Sequence, residues 1–201
     1  MVFLRTAPAF ETARPIAGHG LMLRAPQSQD YPAWAELRAL SREHLVPWEP
    51  VWPRDDLSRS AYRRRLRHYT REARDDHGYA FFVFEAATDR LTGGISLSNI
   101  RRGVTQSATL GYWMGAPYAR RGAMSNAVRC LIPFVFEDLR LHRLEAATQP
   151  TNAASRRVLE KNGFQREGYA RRYLKINGSW QDHELYGLLA DDMAAAARVT
   201  P

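Results

Sequence analysis

The chain has 201 residues, of which 45% are hydrophobic, 25% charged and 11% aromatic, and its formal net charge is +8. That length suits one well-packed domain rather than two, and the composition is that of a folded soluble protein, not a disordered one. No stretch approaches the length of a membrane span, and Arg5 and Pro8 interrupt the apolar start, so a secretory signal is not expected and a cytoplasmic location is.

In chain order, Gly20 to Arg24 reads as a first strand. Asp30 to Leu45 carries Trp34, Leu37, Leu40 and Leu45 at roughly helical spacing and reads as a first helix. Pro47, Pro50 and Pro53 then force an extended loop holding Trp48, Glu49 and Trp52, which either plugs the core or walls a substrate pocket. Leu57 to Arg74 reads as a second helix whose basic face carries Arg63, Arg64, Arg65, Arg67, Arg71 and Arg74. That face is either simply solvated or a contact for RNA or a ribosomal surface.

Tyr79 to Glu85, Gly94 to Ile100 and Gln106 to Met114 are strand-like runs separated by turn residues, and they suggest an antiparallel meander. Met124 to Leu139 reads as a helix with Val128, Leu131, Ile132, Val135 and Leu139 on its apolar side and a Pro133 that should kink it. Cys130, the single cysteine, sits among those apolar residues; it excludes an intrachain disulfide and a cysteine-rich metal site, and core packing is its expected role. No metal ligands are assigned. Arg143 to Thr148 reads as a strand feeding a helix at Asn152, and Phe164 to Lys175 and Trp180 to Leu189 read as closing strands joined at Asn177-Gly178. The alanine-rich end, Asp191 to Ala197, reads as a short helix or a frayed tail.

Two stretches carry the chemistry. Tyr112-Trp113-Met114-Gly115-Ala116-Pro117-Tyr118-Ala119-Arg120-Arg121-Gly122-Ala123-Met124 reads as strand, basic glycine turn and helix, an order that aims free backbone N–H groups and a positive helix end at an anion. Asn152 to Phe164 opens on an N-cap asparagine and closes its helix at Gly163, with Ser155 on the first turn. Together they point to a coenzyme with a pyrophosphate and a long polar arm.

The order of elements and the basic glycine turn resemble the GNAT acetyltransferase superfamily, from about Leu21 to Leu189. Ser41 to Pro50, Gly163 to Ala170 and Gly178-Ser179-Trp180-Gln181-Asp182-His183 are similar to the ribosomal-protein alanine N-acetyltransferases of the RimJ type. The resemblance implies an α+β (mixed α/β) GNAT fold: a single domain at residues 18–190 with a central mixed, mostly antiparallel, splayed sheet flanked by helices. An N-terminal extension at 1–17 and a tail at 191–201 would flank it.

It implies acetyl-CoA as the cosubstrate. The backbone of Tyr112, Trp113 and Met114 would pair with the pantetheine arm at the splay, Arg120, Arg121, Gly122, Ala123 and Met124 would hold the pyrophosphate, and Asn152 would bond the pantetheine amide while also capping its helix. Three positions depart from the family pattern. Ala119 and Met124 stand where Gln or Arg and a small residue are usual, and Leu159 stands where many members carry a tyrosine that assists the leaving thiolate. Ser155 is the expected replacement, either as a hydrogen-bond donor to the sulfur or as a helix-turn residue only. Glu85, Glu145, His183 and Glu184 are the candidate bases, and Trp48, Glu49 and Trp52 the candidate acceptor contacts.

The resemblance implies direct attack on the thioester by a protein's N-terminal amine, in particular the N-terminal alanine of a small-subunit ribosomal protein. Rivals are lysine, polyamine or amino-sugar acceptors, and an RNA- or ribosome-associated factor acting through the arginine-rich helix.

Overall fold

A computed structural model describes residues 14–192. Most of the expected N-terminal extension and the end beyond residue 192, including most of the alanine-rich stretch, lie outside the described residues. The strands are β1 (Ile16–Gly18), β2 (Leu21–Arg24), β3 (Tyr79–Glu85), β4 (Arg90–Arg101), β5 (Ser107–Met114), β6 (Arg143–Thr148), β7 (Gln165–Ile176) and β8 (Ser179–Leu189). They form one sheet in the order β1-β2-β3-β4-β5-β6-β8-β7. All neighbours run antiparallel except β5 and β6. The expected meander is β3-β4-β5.

The helices cover both faces. On one side lie α1 (Tyr31–Leu40), the short α2 (Arg42–Leu45) and α3 (Arg59–Arg74); on the other lie α4 (Ala123–Pro133) and α5 (Ala153–Lys161). The larger core joins Val128, Leu131 and Leu159 from α4 and α5 to Leu23, Phe81, Val83, Ile95, Ala108, Leu144 and Leu188 of the sheet. A smaller core joins Trp34, Leu37 and Tyr62 to Phe82, Phe84 and Leu91 on the opposite face. Alternation along β3 explains the division, since Phe81 and Val83 point one way and Phe82 and Phe84 the other.

Several boundaries differ from the sequence reading. The first helix is split at Ser41, which is fully buried and whose Oγ accepts a 2.8 Å bond from the Ala116 N–H, tying the break to the end of β5. The helix after the glycine turn stops at Pro133 and continues as a single wider turn over Phe134–Asp138. A proline there removes one ladder N–H, which a widened turn tolerates. β4 begins four residues earlier than expected, because Thr92-Gly93-Gly94 interrupts the apolar alternation without interrupting the pairing.

At Asn177-Gly178 both residues take positive φ, 45° and 83°, as a tight hairpin turn requires. Cys130 is buried between α4 and β1, and burial pushes its thiol up. Of the α3 arginines, Arg64 and Arg65 are tied to Asp55 and Asp56, and Arg74 to Asp75.

Leu131 is completely buried in the larger core. Replacing it by alanine is expected to cost about 2–5 kcal/mol, measurable as a lowered denaturant midpoint with an unchanged slope.

Candidate functional site

The site begins where the sheet comes apart. β5 and β6 pair over only three rungs, Ser107↔Arg143, Ala108↔Leu144 and Thr109↔Glu145. Beyond them β5 stays with β4 as far as Met114↔Gly93, and β6 stays with β8 as far as Thr148↔Glu184. Residues 110–114 therefore border a gap on the β6 side, where an extended ligand can add as a strand. The splay expected in the sheet is present and falls between these two strands.

At one end of the gap the chain turns through Arg120 and Gly122, with φ of 63° and 82°, into α4. A Cβ at Gly122 would meet nothing within 4 Å, so it is the left-handed backbone rather than space that asks for glycine there. No side chain caps α4. Among the described residues the N–H groups of residues 120–125 find no acceptor, and the first helical bond runs from Asn126 N–H to Gly122 O at 3.1 Å. A run of free donors at a positive helix end is a ready anion cradle. Arg120 and Arg121 flank it, exposed and without an ion-pair partner among the described residues.

The other wall is the first turn of α5. The Asn152 side chain caps it, its Oδ1 accepting from Ser155 N–H at 3.0 Å, while its Nδ2 donates to no described residue. The cap thus uses only the oxygen of the carboxamide. The Ser155 hydroxyl lies 2.8 Å from the Tyr112 phenol oxygen, which is also 3.2 Å from the Ser155 carbonyl. Burial pushes the Tyr112 phenol up to about 12, so it stays protonated at physiological pH. This contact crosses from β5 to α5, 43 residues apart. Leu159, 1% exposed, is turned into the core.

An anion cradle, an open strand edge and a capped hydroxyl around one gap suit acetyl-coenzyme A. Residues 20–165 match the family described as acetyltransferase (GNAT) domain. The chain belongs to the GNAT acetyltransferases. It is 38% identical over 156 residues to YjcK of Bacillus subtilis, described as a probable N-acetyltransferase, covering 78% of this chain and 86% of that one. It is 31% identical over 172 residues to the [ribosomal protein uS5]-alanine N-acetyltransferase of Escherichia coli, covering 86% and 89%. The structure of Mycobacterium smegmatis RimJ in complex with CoA-disulfide superposes with a TM-score of 0.82 at 29% identity, covering 93% of each chain. The protein is an N-acetyltransferase and its donor is acetyl-CoA.

Within this GNAT frame the four candidate bases occupy different surroundings. Glu85 ends β3, with β4 between it and β5, and accepts from Thr88 in its own turn. Glu145 sits on the last rung before the gap, held by Arg101 at 3.0 Å and Arg143 at 2.9 Å. Glu184 is buried beneath α5, ion-paired with Arg156 and Arg166 at 3.2 and 3.1 Å, and accepts from the Tyr186 hydroxyl. His183 is buried on the opposite face of β8, edge-on to Tyr173, with Nδ1 3.0 Å from the Gln181 carbonyl. A carbonyl can only accept, so Nδ1 carries the hydrogen and, in the neutral ring, Nε2 keeps its lone pair. No described residue bonds to Nε2.

The proline loop is latched rather than free. Both Glu49 carboxylate oxygens accept from Arg38 at 2.7 Å, and Trp52 Nε1 donates to the same carboxylate at 2.7 Å. The Arg38 guanidinium lies 4.1 Å over the Trp52 ring and 5.1 Å over the Trp113 ring. Asn177 N–H donates to the Glu49 carbonyl at 2.8 Å, joining the loop to the β7–β8 hairpin. The polar groups of Glu49 and Trp52 therefore anchor the loop, and only Trp48 among the three candidate acceptor contacts keeps a polar group without a partner among the described residues. Among the described residues no group of three His, Cys, Asp or Glu could hold a metal ion, and no helix is long and apolar enough to cross a membrane.

Gly122→Val forces a branched side chain into the left-handed region, at a cost of about 1–2 kcal/mol. That corresponds to a roughly five- to thirtyfold weaker affinity for coenzyme A where binding depends on the turn. Calorimetric titration with coenzyme A checks it; an unchanged affinity would place the pyrophosphate elsewhere.

Proposed function

We propose that this GNAT enzyme acetylates the N-terminal amine of a protein, with alanine at the N-terminus of a small-subunit ribosomal protein as the acceptor. The observation that carries the site is the gap past Thr109↔Glu145, with free N–H groups on one side and the Asn152–Ser155 turn on the other. The acceptor assignment is supported by the 31% identity to the uS5-alanine enzyme and by the chemistry of an α-amine. With an ordinary pKa of about 7.7–8.0, roughly a fifth of it is neutral at pH 7.2, against less than about a thousandth of a lysine side chain. Such an amine needs only modest help from a base.

In this reading Tyr112, Trp113 and Met114 offer backbone groups to the pantetheine arm, the turn Arg120–Met124 binds the pyrophosphate and Asn152 Nδ2 bonds an amide of the arm. Ser155 donates toward the sulfur. His183 takes the amine proton at Nε2, directly or through water, and Trp48 lines the acceptor's path.

Incubation with acetyl-CoA and peptides differing only in their first residue tests this. Acetyl is expected on the terminal nitrogen of Ala-first peptides; acetyl confined to lysine would overturn the reading. In the same assay His183→Gln is expected to lower kcat about tenfold or more with little change in donor affinity, and an unchanged kcat would remove His183 from the chemistry.

A second reading coexists with the first. Arg67, Arg71 and Arg74 of α3 line an open groove of about 630 Å³ with Gln27, Ser28 and Thr70. Arg67 and Arg71 have no ion-pair partner among the described residues, so this face can meet RNA phosphates. Binding to a short RNA is expected to fall steeply with salt, with a slope reduced by charge reversal at Arg67 and Arg71; binding indifferent to that reversal would exclude the groove.

A further inference from the structure

We propose that Tyr112 is a positioning residue for acetyl transfer: its phenol donates to Ser155 Oγ and so turns the Ser155 proton toward the departing sulfur. The proposal rests on the reading of the gap as the acetyl-transfer site and gives Tyr112 a side-chain role beyond any backbone contact.

The geometry allows two arrangements. The phenol has one proton and two acceptors on Ser155, Oγ at 2.8 Å and the carbonyl at 3.2 Å. If the proton goes to the carbonyl, the serine hydroxyl is free to donate back to the phenol oxygen, and its proton is lost to the gap. If it goes to Oγ, the serine proton cannot return to the phenol and must point elsewhere. The shorter contact is the one to Oγ. Ser155 N–H is already committed to Asn152 Oδ1, so the turn that carries the hydroxyl is held from behind while the phenol holds it from across the gap.

A serine hydroxyl alone is a poor acid. A phenol behind it lengthens the donor chain, and donors in series polarise one another as negative charge grows at the far end. The second donor comes from β5 because the helix position that could carry a tyrosine, Leu159, faces the core. Burial raises the phenol's pKa, so it stays protonated, and so able to donate, at physiological pH. In the transfer one N–C bond forms and one C–S bond breaks. The amine nitrogen gives up one proton to water or His183, and the sulfur takes one through the hydroxyl chain, which water restores.

Tyr112→Phe keeps the ring and removes only the hydroxyl. With an Ala-first peptide and saturating acetyl-CoA, Tyr112→Phe and Ser155→Ala are each expected to lower kcat about 10- to 100-fold. Coenzyme A affinity should stay within about threefold, and the double variant should be no slower than the slower single one, since the two groups act as a unit. Losses that multiply in the double variant would show that Tyr112 acts independently of Ser155. An unchanged kcat in Tyr112→Phe, or a loss confined to coenzyme A affinity, would leave the phenol a packing group. Each of these overturns the proposal while the acetyl-transfer reading stands. Parent enzyme that binds coenzyme A yet acetylates no peptide amine would overturn both.

Discussion

The parting of β5 from β6 is the constraint on which the site depends. Each strand is committed to its other neighbour: β5 to β4 through Met114↔Gly93, and β6 to β8 through six rungs from Arg143↔Leu189 to Thr148↔Glu184. Only Ser107–Thr109 hold the two halves of the sheet together directly, helped by the Gln106 carbonyl, which accepts from both His142 and Arg143 N–H. Backbone groups left without partners are tolerated only where water or a ligand can reach them. An edge of this kind in the middle of a sheet is therefore a place for an extended, amide-bearing ligand, and the pantetheine arm of acetyl-CoA has that character.

The same parting orders the rest of the site. α4 begins at the end of β5 and α5 at the end of β6, so two helix N-termini flank one opening. Their first turns are finished differently. α5 is closed by Asn152, whereas α4 has no side-chain cap and offers its N–H groups outward. A capped turn holds a side chain in place, and an uncapped one can hold an anion, so the difference supports the proposed placement of Ser155 at the acyl end and of the pyrophosphate at the glycine turn. On the opposite face Arg38 gathers Glu49, Trp52 and Trp113 into one cluster, which fixes the proline loop against β5.

What could be read in the sequence was local chemistry. Gly122 after two arginines, Asn152 before its helix and Asn177-Gly178 between two strands each announce a backbone conformation that neighbouring residues alone dictate, and each takes it. The strands whose apolar alternation is clean were equally legible. The first rungs of β4 were not, because Gly93 and Gly94 carry no side chain to show the alternation. Least legible were the contacts that decide what the polar groups do. Glu49 looked free to meet a substrate and is held by Arg38, 11 residues upstream. Tyr112 looked like a backbone contact and reaches Ser155, 43 residues on. Such pairs depend on which strand lies beside which helix, and no periodicity within one segment encodes that.

The pairing of Tyr112 with Ser155 also bears on the width of the gap. The phenol stands on the strand that leaves with β4, and the hydroxyl on the helix that leaves with β6, so their 2.8 Å contact is a side-chain bridge across the divide. Tyr112 lies past the last of the three backbone rungs, so a parting of the halves about those rungs would stretch this contact more than the rungs themselves. In the proposed reading, a ligand arm lying between the halves would adjoin this bridge, so the spacing of the two strands and the direction of the serine proton would meet at one contact.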